Sequence, residues 1–498
     1  LREDNSKKTK KSLYWNLSLK VPYEIFRFGV SIVVARILEP KDFGIVSIAS
    51  MIIFFSNTLT NFGFNHALVQ RKEITTRHIH SVFTVDLLIS CFMICVFYFS
   101  APGIASFFHS PESKNVIRVM SLVFIITTLY DLPYALLRRD LNFKLISITD
   151  TTKEVFISLL TLSFAIFGFK YWSIVWGQLI PLSAITVFLI MKAKWRPTIS
   201  YSHTALKELF SFGAWSFIRS QLYFFNSRLD RLIVGRYLGP SILGVYDKSK
   251  SLSQMPTESI ATNINTVLFS SFSRIQDNKA EIVNMLKKSL VVTSVLIFPI
   301  FIGLYAIAEL FVPIVLGNKW NAMIVPLQIM CVSGIVASLN GLFSTVAVGI
   351  GDYQKYTIQQ IITTCILFLL CLIAVQWGIE AVALGVVLYS LVSSYLGFII
   401  IKKKIDFTWK ELLKCISPAL ICSVIMLVSV KVVVFLFFIK HDLLTLCAMI
   451  MVGAATYIVA ILKIRSSALD SLRASVGHDI NSAWIKFKCA FKSSQSLH

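Results

Sequence analysis

Charge is scarce in this chain of 498 residues: 15% are Asp, Glu, Lys or Arg, while 56% are hydrophobic. Soluble proteins carry about 25% charged residues, so composition excludes a water-soluble globular protein. Acidic residues are the scarcer sign, 26 against 48 basic, which leaves a net charge of +22. Cysteine occurs nine times, but no CxxC is present and the nine fall mainly in apolar runs. Disulfides and a metal site are therefore not expected, and the thiols read as small buried apolar groups. Also missing are GxxxxGK[ST], HExxH, GxSxG and paired carboxylates in a polar loop. A nucleotide-driven motor of the phosphate-loop type is thereby excluded. We expect neither an enzyme nor a cofactor.

Long hydrophobic runs are what the chain has instead. Segments of about 20 apolar residues, long enough to cross a ~30 Å hydrocarbon layer, recur to past Ile461. The pattern predicts an all-α polytopic membrane protein of about fourteen helices. Their ranges are 12–38, 43–69, 81–101, 116–137, 147–167, 171–191, 208–235, 243–272, 289–309, 324–349, 357–376, 379–401, 412–438 and 443–463. The first range carries Lys20, Glu24 and Arg27 and no small-residue cleavage site, so it reads as a helix and not as a cleaved signal. Alternate loops differ sharply in charge. One set holds clusters such as Arg71, Lys72 and Arg77, or Lys402, Lys403 and Lys404, together with both termini; the other holds scattered bases such as Arg36, Lys41, Arg236 and Lys319. That asymmetry is the positive-inside pattern and predicts cytoplasmic termini and an even helix number. The positive charge is then a topology signal aided by anionic lipid headgroups, and nucleic acid is not an expected partner.

An internal repeat organises the chain. Residues 34–44 read VARILEPKDFG and 234–244 read VGRYLGPSILG, matching at five of eleven positions with an offset of 200. Each copy ends a helix with an Arg, stops it with a Pro and opens the next with a Gly. Asp140 to Lys144 and Asp352 to Lys355 both follow a fourth helix, and Gly168 and Gly378 both precede a sixth. Six helices separate the copies, so the halves enter the membrane the same way round, as parallel repeats. The predicted domains are an N-lobe over 1–200, a C-lobe over 201–404, two further helices over 405–463 and a basic cytoplasmic tail over 464–498. The tail's composition fits either an interfacial helix or a disordered segment.

Charges inside the helices fall in stripes. Lys20, Glu24 and Arg27 share one face of the first helix; Arg219, Asn226 and Asp230 share one of the seventh, with Arg228 and Arg231 beside it. Asp247, Lys250, Gln254 and Glu258 repeat the pattern in the eighth, with Lys248 adjacent, and Asp86, Asp131, Lys153 and Glu154 add to helices three to five. A charge at the bilayer centre costs roughly 3 kcal/mol on the lenient insertion scale, so these groups should face a watery cavity between the lobes. Pairing offers a purely structural alternative, through Lys20 with Glu24, Lys153 with Glu154, or Asp230 with Arg231. His66 reads as a packed polar residue. Nine bases lie at this depth, Lys431 among them, and five of them, Arg219 to Lys250, crowd helices seven and eight; a cationic cavity predicts an anionic cargo for which Arg supplies a planar fork of donors. Lys20, Arg27, Arg219, Arg228, Arg231, Lys248 and Lys250 are the candidate cargo ligands. Glu24, Asp86, Asp131, Glu154, Asp230, Asp247 and Glu258 are the candidates for ion coupling.

RxLxPxxxG at 36–44, SFGAWSF at 211–217 and SRLDRLIVGRYLGPSILGVYDKS at 227–249 resemble Wzx-type polysaccharide flippases. These form the polysaccharide-transport branch of the multidrug/oligosaccharidyl-lipid/polysaccharide exporter superfamily, and the likeness leans to its colanic-acid-exporter-like subgroup. The resemblance implies two six-helix lobes around a cationic cleft in a bacterial inner membrane. It implies an undecaprenyl-pyrophosphate-linked oligosaccharide repeat unit as cargo, alternating access driven by a proton or sodium gradient, and other polysaccharide-assembly proteins as possible partners. It transfers no residue roles. The alternatives are another exporter of the superfamily, moving drugs or a lipid-linked peptidoglycan precursor, or a membrane-embedded glycan polymerase or ligase. The short outer loops disfavour the polymerase or ligase.

Overall fold

The computed structural model describes residues 22–60, 68, 71, 74–140, 142–193, 195–276, 278–437 and 442–464. Among the described residues all regular structure is helical. Lys20, His66 and the chain from 465 lie outside them, as does the side chain of Arg219. Helix overlaps each of the fourteen expected ranges, and nine described segments are long and apolar enough to cross a membrane. The chain is a multi-pass, all-α membrane protein. Side chains such as Phe92, Phe99, Met191, Ile373 and Leu444 stand exposed on these helices, as lipid contact requires.

Helix α1 covers 22–37, and α2 is Pro40–Thr60. Proline is accepted where α2 begins because its missing N–H is one the helix start leaves unused. Asp42 in that first turn accepts from the Glu39 backbone N–H at 3.0 Å. Next come α3 (Thr76–Phe107), α4 (Ser113–Arg139), α5 (Phe143–Ile166) and α6 (Trp172–Lys192). Asn142 caps α5 by accepting from the Leu145 backbone N–H, a contact typically worth about 1 kcal/mol. Lys41 reaches Glu112 ahead of α4 at 2.5 Å, and that contact holds the Glu112 carboxyl below the ordinary carboxylate range.

A continuous helical run, His203–Pro256, breaks at Gly239 into α7 (203–238) and the start of α8 (240–256). A π-helical turn at Thr257–Ala261 carries α8 on to Arg274. The remainder comprises α9 (Lys279–Phe311), α10 (Ile324–Gly349), α11 (Tyr353–Ala374), α12 (Ile379–Ile405), α13 (Trp409–Phe437) and α14 (Leu443–Lys463). Gly168 and Gly378, paired by the repeat, both take left-handed φ values, 81° and 93°.

The chain divides into two compact units. The first runs to Lys248 and takes in Val315–Met323 and Leu367–Val382; the second holds Ser249–Ile314, Ile324–Ile366 and the chain from Ala383. Ile45, Val116, Phe124 and Val175 join α2, α4 and α6 in one core of the first. Phe272, Leu290, Phe343 and Phe398 join α8, α9, α10 and α12 in the core of the second.

Gly239 has φ 80° and ψ 175°, a conformation that a side chain excludes. Gly239→Ala is expected to cost about 1–3 kcal/mol, read as a lower Tm of the detergent-purified protein. An unchanged Tm would show that the α7–α8 break relaxes freely.

Candidate functional site: a polar cavity in the first unit

A cavity of about 530 Å³ lies in the first unit, bounded by α1, α2, α4, α5, α6 and the facing ends of α7 and α8. Its charged lining consists of Arg27, Glu154, Arg228 and Asp247, and its neutral polar lining includes Ser31, Ser47, Ser50, Ser158, Thr161 and Gln178. Two cations thus meet two anions. The expected surplus of bases is not what lines this cavity.

Of the α1 stripe, Arg27 lines the cavity, Glu24 is not part of the lining, and Lys20 lies outside the described residues. Arg27 donates to Glu24 at 2.7 Å, and Tyr23 on the same helix donates its hydroxyl to Glu154 of α5 at 3.1 Å. Glu154 therefore serves a tyrosine on another helix and not its sequence neighbour. Lys153 instead lies 3.6 Å from Asp150, one turn back, and 5.1 Å over the ring of Tyr130. Successive helical residues point to different faces, so adjacency in sequence misidentifies the partner. Asp150 also accepts the hydroxyls of Tyr130 and Tyr134, at 3.0 and 2.8 Å.

On the other wall, Arg228 stands 5.3 Å from the ring centre of Phe54 on α2. Arg231 is buried and ion-paired with Asp247, whose other carboxylate oxygen accepts from Ser47 at 3.1 Å. Asp230 is fully buried and accepts the Tyr246 hydroxyl at 2.6 Å. Lys248 donates to Ser31 of α1 at 2.8 Å and lies 5.3 Å over Phe43. Two anions and two cations balance across the α7–α8 junction, which a low-dielectric setting demands. Of the bases named from sequence, Arg27 and Arg228 line the cavity, while Arg231 is held by Asp247 and Lys248 by Ser31.

The remaining candidates lie elsewhere. Lys250 is buried within the second unit, and Glu258 is exposed on its π-helical turn. Lys431 pairs with Glu309 at 3.4 Å, also in the second unit. Asp86 is buried on α3 with one carboxylate oxygen lacking a hydrogen-bond partner, and Asp131 of α4 acts on it electrostatically. Sequence reasoning missed Tyr23, Ser31, Ser47, Asp150 and Gln178. Apart from Asp150, these are neutral polar residues, which in apolar helices carry no periodic signal that separates lining from packing.

Residues 33–325 match the family model described as polysaccharide biosynthesis protein, and the chain belongs to that family. It is 26% identical over 309 residues to the lipopolysaccharide biosynthesis protein WzxC of Escherichia coli K12, covering 62% of this chain and 63% of that one. It is 29% identical over 330 residues to a membrane protein in the cps region of Klebsiella pneumoniae, covering 66% and 68%. The matched regions thus span about two thirds of those relatives' lengths. Among solved structures, the lipid II flippase MurJ in an inward closed conformation has the same fold, with a TM-score of 0.70, 15% identity, and coverage of 91% of this chain and 97% of that one.

Removing one partner of a buried ion pair strands the other, typically at about 3–5 kcal/mol. Arg231→Ala should therefore lower the Tm of purified protein sharply, and adding Asp247→Asn should recover part of the loss. Equal losses in the single and double variants would overturn this pairing as a stabilising contact.

Proposed function

We propose that this protein flips an undecaprenyl-pyrophosphate-linked oligosaccharide repeat unit across the bacterial inner membrane. The supporting observation is the presence of Arg27 and Arg228 in the lining of one cavity together with five hydroxyl side chains. A lipid-linked glycan carries a diphosphate beside sugar hydroxyls. Guanidinium groups bind phosphate oxygens by paired charge-assisted hydrogen bonds, and serine, threonine and glutamine side chains satisfy sugar hydroxyls. Family membership and the relative named for lipopolysaccharide biosynthesis support the same cargo class.

In this reading the N-lobe, 1–200, and the C-lobe, 201–404, alternate access to the cavity, with 405–463 as accessory helices and 464–498 as a cytoplasmic tail. Both termini are cytoplasmic, by the charge asymmetry of the loops. Glu24 holds Arg27 and Phe54 faces Arg228, so each guanidinium is positioned before cargo arrives. Arg231 and Lys248 act on cargo through the walls they stabilise and not by contact.

A charge-assisted hydrogen bond contributes about 1.5–3 kcal/mol, equivalent to roughly 10–100-fold in affinity. Arg27→Ala and Arg228→Ala should each reduce flipping of a defined lipid-linked glycan in proteoliposomes by that factor at limiting substrate, with Tm unchanged. Normal flipping by the double variant would sink the assignment.

Asp86 and Asp131 carry the proposed ion coupling, since Asp86 is buried on α3 with one carboxylate oxygen lacking a hydrogen-bond partner and Asp131 of α4 acts on it electrostatically. Asp86→Asn with Asp131→Asn should remove the dependence of flipping on a proton or sodium gradient. An unaltered dependence would take the coupling role from these residues.

A further inference from the structure

The two copies of the sequence repeat meet in the first unit, and they meet reciprocally. A Cβ placed on Gly44 would lie 1.7 Å from the Pro240 carbonyl oxygen, and one on Gly244 would lie 1.9 Å from the Pro40 carbonyl oxygen. Each helix start thus rests its glycine on the other's proline backbone, at a separation that only hydrogen at Cα permits. The arginines of the repeat are exchanged in the same sense. Arg36 donates through Nε to the Val315 carbonyl at 2.8 Å, in the turn ending α9. Arg236 donates through Nη1 to the Phe107 carbonyl at 2.7 Å, at the end of α3, with its guanidinium 4.7 Å from the Phe107 ring centre. Both of these arginine contacts lie within the first unit.

That contact borders the cavity. Phe43 lies next to Gly44 in sequence, and Ser47 is one turn further along α2; both line the cavity, as does Val34 of the repeat itself. Trp320 adds a closing element on one side, donating to the Ala35 carbonyl at 2.9 Å and meeting the Phe43 ring edge-on at 5.3 Å.

We infer that the paired repeats form a two-fold latch that seals the cavity at the end carrying the 39–42 turn, and that it parts as a unit when cargo leaves. The inference rests on the transporter reading above. Its physical basis is the kind of surface in contact. Backbone meets backbone at the two glycines, so parting at those points needs no side-chain repacking, and the packed side chain to be released is Trp320 from Phe43. The two arginine bonds close on helix C-terminal carbonyls, groups that a helix leaves without intrahelical partners and that favour a cation. Making and breaking them exchanges protein for water at the surface, where the net difference is small. The latch is therefore tight in contact yet easily reversed.

The test uses the full chain with native cysteines replaced by serine and a single reporter, Ser50→Cys, in the cavity lining. A membrane-impermeant maleimide added to intact cells reports access from outside, independently of what the cargo is. Gly44→Ala and Gly244→Ala place a methyl group where none fits, and each should speed labelling by about tenfold by favouring the parted state. Arg36→Ala with Arg236→Ala crowds nothing and should raise labelling further than either single change, which keeps the test decisive where the alanine variants fail to fold. Unchanged labelling in folded Gly44→Ala, Gly244→Ala or the double arginine variant would overturn the latch. Raised labelling in a protein that flips no lipid-linked glycan would keep the latch and remove the proposed cargo.

Discussion

Neutralisation of charge inside an apolar body is the constraint on which the cavity depends. The start of α8 carries Asp247 and Lys248, and the end of α7 carries Asp230 and Arg231. None of these four groups is tolerable alone in hydrocarbon, and together they sum to zero. Their partners are distributed so that neutralisation also fastens helices together: Asp247 to Arg231 on α7 and Ser47 on α2, and Lys248 to Ser31 on α1. One electrostatic requirement thereby sets the positions of three helices around α8. Ser31, Ser47 and Asp247 bring these contacts to the wall of the cavity, beside apolar residues such as Val34 and Ile53.

This arrangement changes what a count of intramembrane bases means. From sequence, the crowding of arginine and lysine on the seventh and eighth helices looks like a cationic funnel. In the structure Arg231 is held by Asp247 and Lys248 by Ser31, while the described bases lining the cavity are Arg27 and Arg228. Of these two, Arg27 stands beside an acid one turn away and Arg228 against an aromatic face. In the proposed reading, selectivity for an anion comes from the placement of two forks of donors and not from the bulk potential.

Features constrained by the backbone were legible in the sequence; features decided by side-chain partners were not. Helix positions followed from hydrophobic run length, and the turn at Gly168 was visible because a left-handed residue advertises itself as glycine. The closeness of Glu24 and Arg27 on α1 was legible because a helix fixes which residues share a face. Partners were a different matter. Glu154 finds Tyr23 across 131 residues, and Lys153 prefers Asp150 to its neighbour; no local rule ranks these options. Gln178 lines the cavity from a helix whose remaining residues are almost all apolar, where a lone amide looks like packing.

The repeat joins these two levels. Its offset of 200 residues pairs Gly44 with Gly244, Arg36 with Arg236 and also Ser47 with Asp247 and Ser31 with Arg231. Ser47 and Asp247 touch each other, so the local two-fold relation passes between them. Backbone contacts keep that symmetry, since glycine meets proline from both sides. Chemistry does not: one copy has Ser31 and Ser47 where the other has the ion pair of Arg231 and Asp247. Had both copies kept the ion pair, two carboxylates would face each other across the axis, and their repulsion would oppose the close approach of the glycines. A hydroxyl in one copy converts that repulsion into a hydrogen bond. The loss of chemical symmetry at Ser47 is what allows the backbone symmetry at Gly44 to close.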